Sequence, residues 1–191
     1  MGEDGRERIL RAALELFGRD GVAGTTLSSL RAASGVSVGS FYHHFAGKEQ
    51  VAEALFVESI ALYQEAFLAE LRSHESARGA VSGVVAFHVR WCVRNRERAR
   101  FLFTERRPGG GELGERNRVF FRQVREWWRV HVRYEALPDV DAVTAFVIWL
   151  GPAQELCRLW LHGQAAEPTD EQVEVVSAAA WRALGGGTDD R

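Results

Sequence analysis

Lysine is almost missing from this chain. Of its 24 basic residues one, Lys48, is a lysine and the rest are arginines. That bias reflects base composition of a genome more than chemistry, and it makes the position of Lys48 worth asking about. Cysteine is down to two residues, Cys92 and Cys157. Two cysteines do not make a disulfide framework in a chain of 191 residues. No run of about 18 apolar residues occurs, which excludes a membrane-spanning helix. The opening MGEDGRERIL is acidic and polar where a secretory leader would be basic and then apolar. The expectation is a reduced, cytoplasmic protein with no membrane partner. At 26% charged and 46% hydrophobic residues the composition also excludes wholesale disorder and allows a real core.

The formal net charge of -2 hides a split. Residues 1–134 carry a net +5 and residues 135–191 a net -7. Such asymmetry fits an anionic partner for the N-terminal part, and equally a solvated surface with none.

Helical periodicity dominates, and no segment sustains the period-two alternation of a strand. The spacing predicts an all-α protein of nine helices. The first covers about 5–19, ended by Gly18 to Gly21. Short helices follow over 27–34 and 38–45, then longer ones over 48–72, 77–94, 97–105, 112–136, 139–163 and 169–184. Pro108 to Gly111 reads as a loop and 185–191 as a frayed tail.

Residues 26–45 read TLSSLRAASGVSVGSFYHHF. Thr26 and Ser37 are N-cap residues, each followed by a short helical segment, with Gly35 at the reversal between them. Two short helices joined by a tight glycine-containing turn form a helix-turn-helix. Leu30, Val36, Phe41 and Phe45 can face inward, closed over by Ile9, Ala13 and Phe17. Ser37, Val38, Gly39, Ser40, Tyr42, His43 and part of His44 then face out. Between Asp20 and Glu49 there is no acidic residue. A surface for DNA must avoid carboxylates, because phosphates line the groove. Amides at the starts of the two short helices, near Thr26, Ser28 and Ser29 and near Ser37 to Ser40, can also attract phosphate.

With the preceding TTLSSLRAAS, the stretch GVSVGSFYHHFAGKE resembles the DNA-binding domain of TetR/AcrR-type transcriptional regulators. The resemblance is close over about the first 50 residues and extends beyond them in length and helix order. It implies a helix-turn-helix domain over 1–47 and a six-helix ligand-binding and dimerisation domain over 48–191. It implies phosphate contacts from Tyr42 and Lys48 and a backbone bond from Thr26. Ser28, Val38, Gly39 and Ser40 would meet base edges or sugars, with His43 and His44 nearby and Ser37 in the same DNA-binding set. Few groups here make bidentate base contacts, so specificity would rest on thymine methyls and DNA shape. Two positions depart from the pattern. Val38 stands where many relatives carry a basic residue, and Arg31 where alanine is usual. Its stem can lie along the surface with its head in solvent.

Ala142 to Ala153 is apolar around its circumference and must be buried on all sides, in the monomer core or against a second copy. The resemblance implies a homodimer through the last two long helices, about 139–163 and 169–184. The last offers a stripe of Val173, Val176, Ala180 and Leu184. Gly151-Pro152 should kink or bulge the eighth helix. Many large aromatics fill the middle helices. Most are core, but the resemblance raises an aromatic-walled cavity for an apolar or aromatic effector, lined by His88, Trp91, Phe103, Trp127, His131 and Trp149. No histidine stands in metal spacing with either cysteine. Arg94, Arg96, Arg98 and Arg100 read as a solvated helix junction. No nucleophile–base arrangement appears, so neither enzyme activity, metal nor cofactor is expected.

These readings converge on a sequence-specific, ligand-responsive repressor, dimeric on a palindromic operator in double-stranded DNA. The alternatives are a small-molecule-binding helical protein without DNA-regulatory activity, and a helical adaptor for another protein.

Overall fold

A computed structural model describes residues 4–104 and 111–185 of the chain. Among the described residues the regular structure is nine α-helices: α1 (Gly5–Gly24), α2 (Leu27–Ser34), α3 (Val38–His44), α4 (Lys48–Arg72), α5 (Ala77–Arg94), α6 (Arg96–Thr104), α7 (Gly111–Arg133), α8 (Ala142–Leu161) and α9 (Asp170–Ala183). Of the expected loop at 108–111 and tail at 185–191, all but Gly111 and Gly185 lies outside the described residues. No described helix is long and apolar enough to cross a membrane.

The described residues form two compact units. Unit 1 takes in 4–62 with 95–104 and 111–113; unit 2 takes in 63–94 with 114–185. Helix α6 joins unit 1 because it packs on α1. Phe101 stacks on Phe17 at 5.9 Å between ring centroids and meets Phe56 of α4 edge-on at 6.0 Å. Gly18, expected to end α1, lies inside it. A Cβ there would come within 3.2 Å of Glu97 Cβ, so the glycine lets the two helices approach closely. The interruption comes at Gly21, with φ 71°. Arg98 is not part of a solvated junction: its guanidinium donates to the buried Ser59 hydroxyl at 3.0 Å and lies 3.6 Å from the Glu58 carboxylate.

Unit 2 is built on aromatic rings from four helices. Phe67 of α4 meets Phe87, Phe120 and Trp149 edge-on. Trp149 of α8 stacks on Trp127 at 5.9 Å and leans on Trp128 at 5.8 Å. Its indole N–H donates to the Val81 carbonyl at 3.0 Å, so the one polar atom of this buried side chain is satisfied. The α9 stripe is spent inside the chain: Val173, Ala180 and Leu184 are buried, and α9 packs on α5 and α8. Helix α8 runs on through Pro152, which sits on the exposed side of the helix where its missing amide costs least. Burial on all sides does not hold within one chain, because Val143 is 73% and Val147 59% exposed.

Candidate nucleic-acid interface

In unit 1 the second and third helices are fixed by their caps. The Thr26 hydroxyl accepts the Ser29 amide at 3.0 Å, and the Ser29 hydroxyl reaches back to the Thr26 amide at 3.2 Å, a reciprocal capping box. The Ser37 hydroxyl accepts the Ser40 amide at 3.1 Å. Gly35 ends α2 with φ 61°, a conformation that suits glycine. Beneath these helices Ile9, Ala13, Phe17, Leu30, Phe41 and Phe45 are buried, and Val36 is half-buried.

That core decides what faces out. Ser37, Val38, Gly39, Tyr42 and His43 are exposed and Ser40 is half-buried; Thr26 and Ser28 are exposed at the start of α2. A Cβ at Gly39 would meet nothing within 4 Å. The chain's own packing therefore makes no demand for glycine there. It leaves bare backbone on the outer face of α3, where a partner can come close. Tyr42 stands edge-on to Phe41 at 5.7 Å, which supports its ring at the base and leaves the side chain 53% exposed.

Two expected contact residues lie differently. His44 is half-buried and turned toward the start of α1, its Nε2 3.9 Å from an Asp4 carboxylate oxygen and close to Gly5. Lys48 is half-buried, and its ammonium donates to the carbonyls of Val22 and Thr25, both at 2.8 Å, with that of Ala23 at 3.5 Å. The lone lysine thus holds the end of α1 against the start of α4. A phosphate contact from Lys48 would have to share an ammonium already held by these carbonyls.

Other residues support the interface without having been foreseen. Arg8 donates to the Gly35 carbonyl at 2.8 Å and so ties α1 to the turn between α2 and α3. Arg6 places its guanidinium carbon 5.8 Å from the Phe45 ring centroid. No spacing rule links residue 8 to residue 35, so only the fold shows the contact. Arg31 does not keep its whole head in solvent: it is half-buried, and its Nε is covered without an acceptor.

The six residues expected to line an effector cavity separate into groups. Phe103 belongs to unit 1 and the other five to unit 2. Trp127, Trp149 and His131 form one stack, with His131 4.1 Å from Trp127 and its Nδ1 at 2.9 Å from the Trp127 carbonyl. His88 and Trp91 gather instead around Tyr63, whose hydroxyl is 2.8 Å from His88 Nδ1 and whose ring meets Trp91 edge-on at 5.0 Å. A recess of about 310 Å³ in unit 2 lies elsewhere, between the end of α5 and the start of α9, with Arg90, Arg94, Thr169 and Asp170 in its lining. None of the six lines it.

Contrary to the reading of the histidine and cysteine spacings, the fold brings His88, Cys92 and Cys157 together, all buried. The neighbouring Cys92 thiol holds the Cys157 thiol below its ordinary value, with His88 adding to the effect, while Cys157 and burial push Cys92 up. Burial pushes the Tyr63 phenol up, so it stays protonated.

Comparison with known proteins finds likenesses to this geometry. Residues 9–55 match the model of "Bacterial regulatory proteins, tetR family". The regulator TcmR of Streptomyces glaucescens is 38% identical over 81 residues, 41% of this chain and 34% of TcmR. The chain spans between 15% and 34% of the length of the curated relatives it matches. Among solved structures, a TetR family transcription regulator from Marinobacter aquaeolei superposes with a TM-score of 0.81 at 21% identity, covering 95% of each chain. The regulator FadR of Bacillus subtilis, in complex with stearoyl-CoA, superposes with a TM-score of 0.73 at 18% identity, covering 94% of this chain and 97% of FadR. At these identities the structures speak for the fold.

Proposed function

We propose that this chain, whose residues 9–55 match the tetR family of bacterial regulatory proteins, is a member of that family and a ligand-responsive repressor of transcription that binds a palindromic operator as a homodimer. The observation that carries the reading is the outer face of α3. It presents Ser37, Val38, Gly39, Tyr42 and His43 to solvent, inside a stretch from Gly21 to Lys48 that holds no carboxylate. Small side chains and open backbone let the helix sit deep in a major groove, and the absent acids spare it repulsion from phosphates.

In this reading Tyr42 donates to a backbone phosphate, and Ser37, Val38, Gly39 and Ser40 lie against base edges and sugars, with His43 beside them. Thr26 meets phosphate at the start of α2, and Ser28 beside it lies against sugars or base edges. Lys48 and His44 work from behind, holding α1 against α4 and α3. One such helix reads only a few base pairs. Two copies related by a two-fold axis read half-sites about 34–36 Å apart. The exposed Val143 and Val147 of α8, with Val175 of α9, support pairing of the chains through these helices. An apolar or aromatic effector taken up by unit 2 shifts the population away from the DNA-bound state. The stearoyl-CoA held by FadR makes long acyl thioesters the first effectors to screen.

Selection of bound fragments from the source genome, followed by anisotropy titration of the enriched duplex, tests the reading. Preference for that duplex over random competitor is expected at moderate salt. Tyr42→Phe, which removes one hydroxyl and leaves the ring on Phe41, should lower affinity several-fold on every sequence alike. Equal affinity for all duplexes in the wild type would leave a helical small-molecule binder as the better account.

A further inference from the structure

We infer that His88, Cys92 and Cys157 form a buried binding site for one thiophilic divalent cation of the zinc type. The site lies wholly within unit 2 and stands whether or not the DNA reading does. His88 and Cys92 are four residues apart on α5 and so project from one face of that helix. Cys157 comes from α8, which packs against α5. The three ligand atoms lie within 4.8 Å of one another, and Cys92 Sγ is 3.9 Å from His88 Nε2. A zinc ion with bonds of about 2.3 Å to sulfur and about 2.0–2.1 Å to nitrogen holds such atoms about 3.5–3.8 Å apart. Closing the set around a cation therefore needs sub-ångström to ångström movement and no refolding.

The surroundings narrow the ligand. The three donors are an imidazole and two sulfurs with no carboxylate, which disfavours magnesium, calcium and manganese. The residues are at most 1% exposed, so the loaded site must be close to neutral. Two thiolates and a neutral imidazole cancel a divalent charge; each thiol releases its proton to solvent as the cation enters. The other nitrogen of His88 is already oriented: Tyr63 holds Nδ1 at 2.8 Å, the arrangement that fixes the ring of a metal-ligating histidine, and Nε2 lies on the side of the two sulfurs. Tyr63 is here a positioning residue. The fourth position is left for water or an exogenous ligand, as in zinc sites with three protein donors.

Anaerobic titration of the reduced full-length chain with Co(II) is the test. One equivalent should produce a near-ultraviolet thiolate-to-cobalt charge-transfer band and the intense visible bands of a four-coordinate ion, both removed by Zn(II). Cys92→Ser and Cys157→Ser should each weaken the charge-transfer band and cut affinity by at least about 100-fold. Tyr63→Phe should keep both bands and bind about 10–100-fold more weakly. Should a serine variant lose its helical circular dichroism, protection of the wild-type thiols decides: Zn(II) must slow their reaction with a disulfide reagent. A wild type without the charge-transfer band overturns the inference. So does a folded Cys92→Ser that keeps it at full intensity, or loss of both thiols to a Cys92–Cys157 disulfide at the same rate with and without Zn(II).

Discussion

Unit 1 wears its polar chemistry outside and unit 2 keeps its own inside. On α2 and α3 the serines, threonine, tyrosine and histidine that matter are exposed, lie within about twenty consecutive residues, and owe their direction to two caps and a small core. In unit 2 Tyr63, His88, Cys92 and Cys157 are buried and come from three helices, the outermost of them 94 residues apart in sequence. A surface site on short elements is set by local rules, whereas a buried one exists only once tertiary packing has assembled it. The two should therefore respond differently to damage: unit 1 through its partner, unit 2 through its stability.

The largest effect expected from that contrast is at Trp149. Its ring joins Phe67, Trp127 and Trp128, and its N–H satisfies the Val81 carbonyl. Trp149→Ala opens a cavity and removes the indole hydrogen bond to that carbonyl, which keeps its own partner within α5, at a cost of about 3–5 kcal/mol. Denaturant unfolding followed by circular dichroism measures the loss. A cost under about 1 kcal/mol would mean that the aromatic stack is not the keystone of unit 2 and that the contrast is drawn wrongly.

Two glycines of unit 1 sharpen the comparison, because they should change stability in opposite directions. Gly35 has φ 61°, and a Cβ there would sit 2.7 Å from the Arg8 guanidinium. Gly35→Ala should cost about 1–3 kcal/mol. Gly39 has open space before it. Gly39→Ala should stabilise the helix by about 0.5–1 kcal/mol. It should also weaken binding to the selected duplex, on the order of tenfold, because the new methyl occupies the approach to the groove. Thermal unfolding and anisotropy on the same two proteins check both signs. A Gly39→Ala protein that binds undiminished would show that α3 does not approach DNA by this face.

The same contrast explains what the sequence discloses. Helix starts at Leu27, Val38, Lys48 and Ala77 are legible because cap residues and glycines act on near neighbours. The outward face of α3 is legible because burial of Phe41 and Phe45 fixes it. Gly18 reads as a stop, since in sequence a glycine inside a helix looks the same whether it ends it or admits a neighbour such as Glu97. The α9 stripe reads as a buried face, and periodicity does not show what buries it. No sign in the sequence tells that the carbonyls of Val22, Ala23 and Thr25 converge on Lys48, because only the fold brings them there. The His88–Cys92–Cys157 cluster escaped because half of it is local, the four-residue step on α5, and the other half depends on how α8 packs.

The smallest expected effect concerns α8, whose start carries the exposed Val143. The Asp141 carboxylate accepts from the Thr144 hydroxyl at 2.5 Å and from the amides of Thr144 and Val143 at 3.1 and 2.9 Å. The Thr144 hydroxyl, with the amides adding to it, holds the carboxyl below its ordinary value. A carboxyl lowered by folding contributes stability that is present above its unfolded pKa of about 3.9 and lost as pH falls through the folded value. Asp141→Asn keeps an acceptor for the amides, since asparagine is also a good cap, but it cannot titrate. Midpoints of thermal unfolding should therefore fall more steeply for the wild type than for Asp141→Asn on acidification below about pH 4. The lowered carboxyls of Asp20 and Glu155 are common to both proteins and cancel in the difference. A wild-type acid limb parallel to that of the variant would mean that the cap stabilises α8 as a dipole, and that its charge contributes nothing.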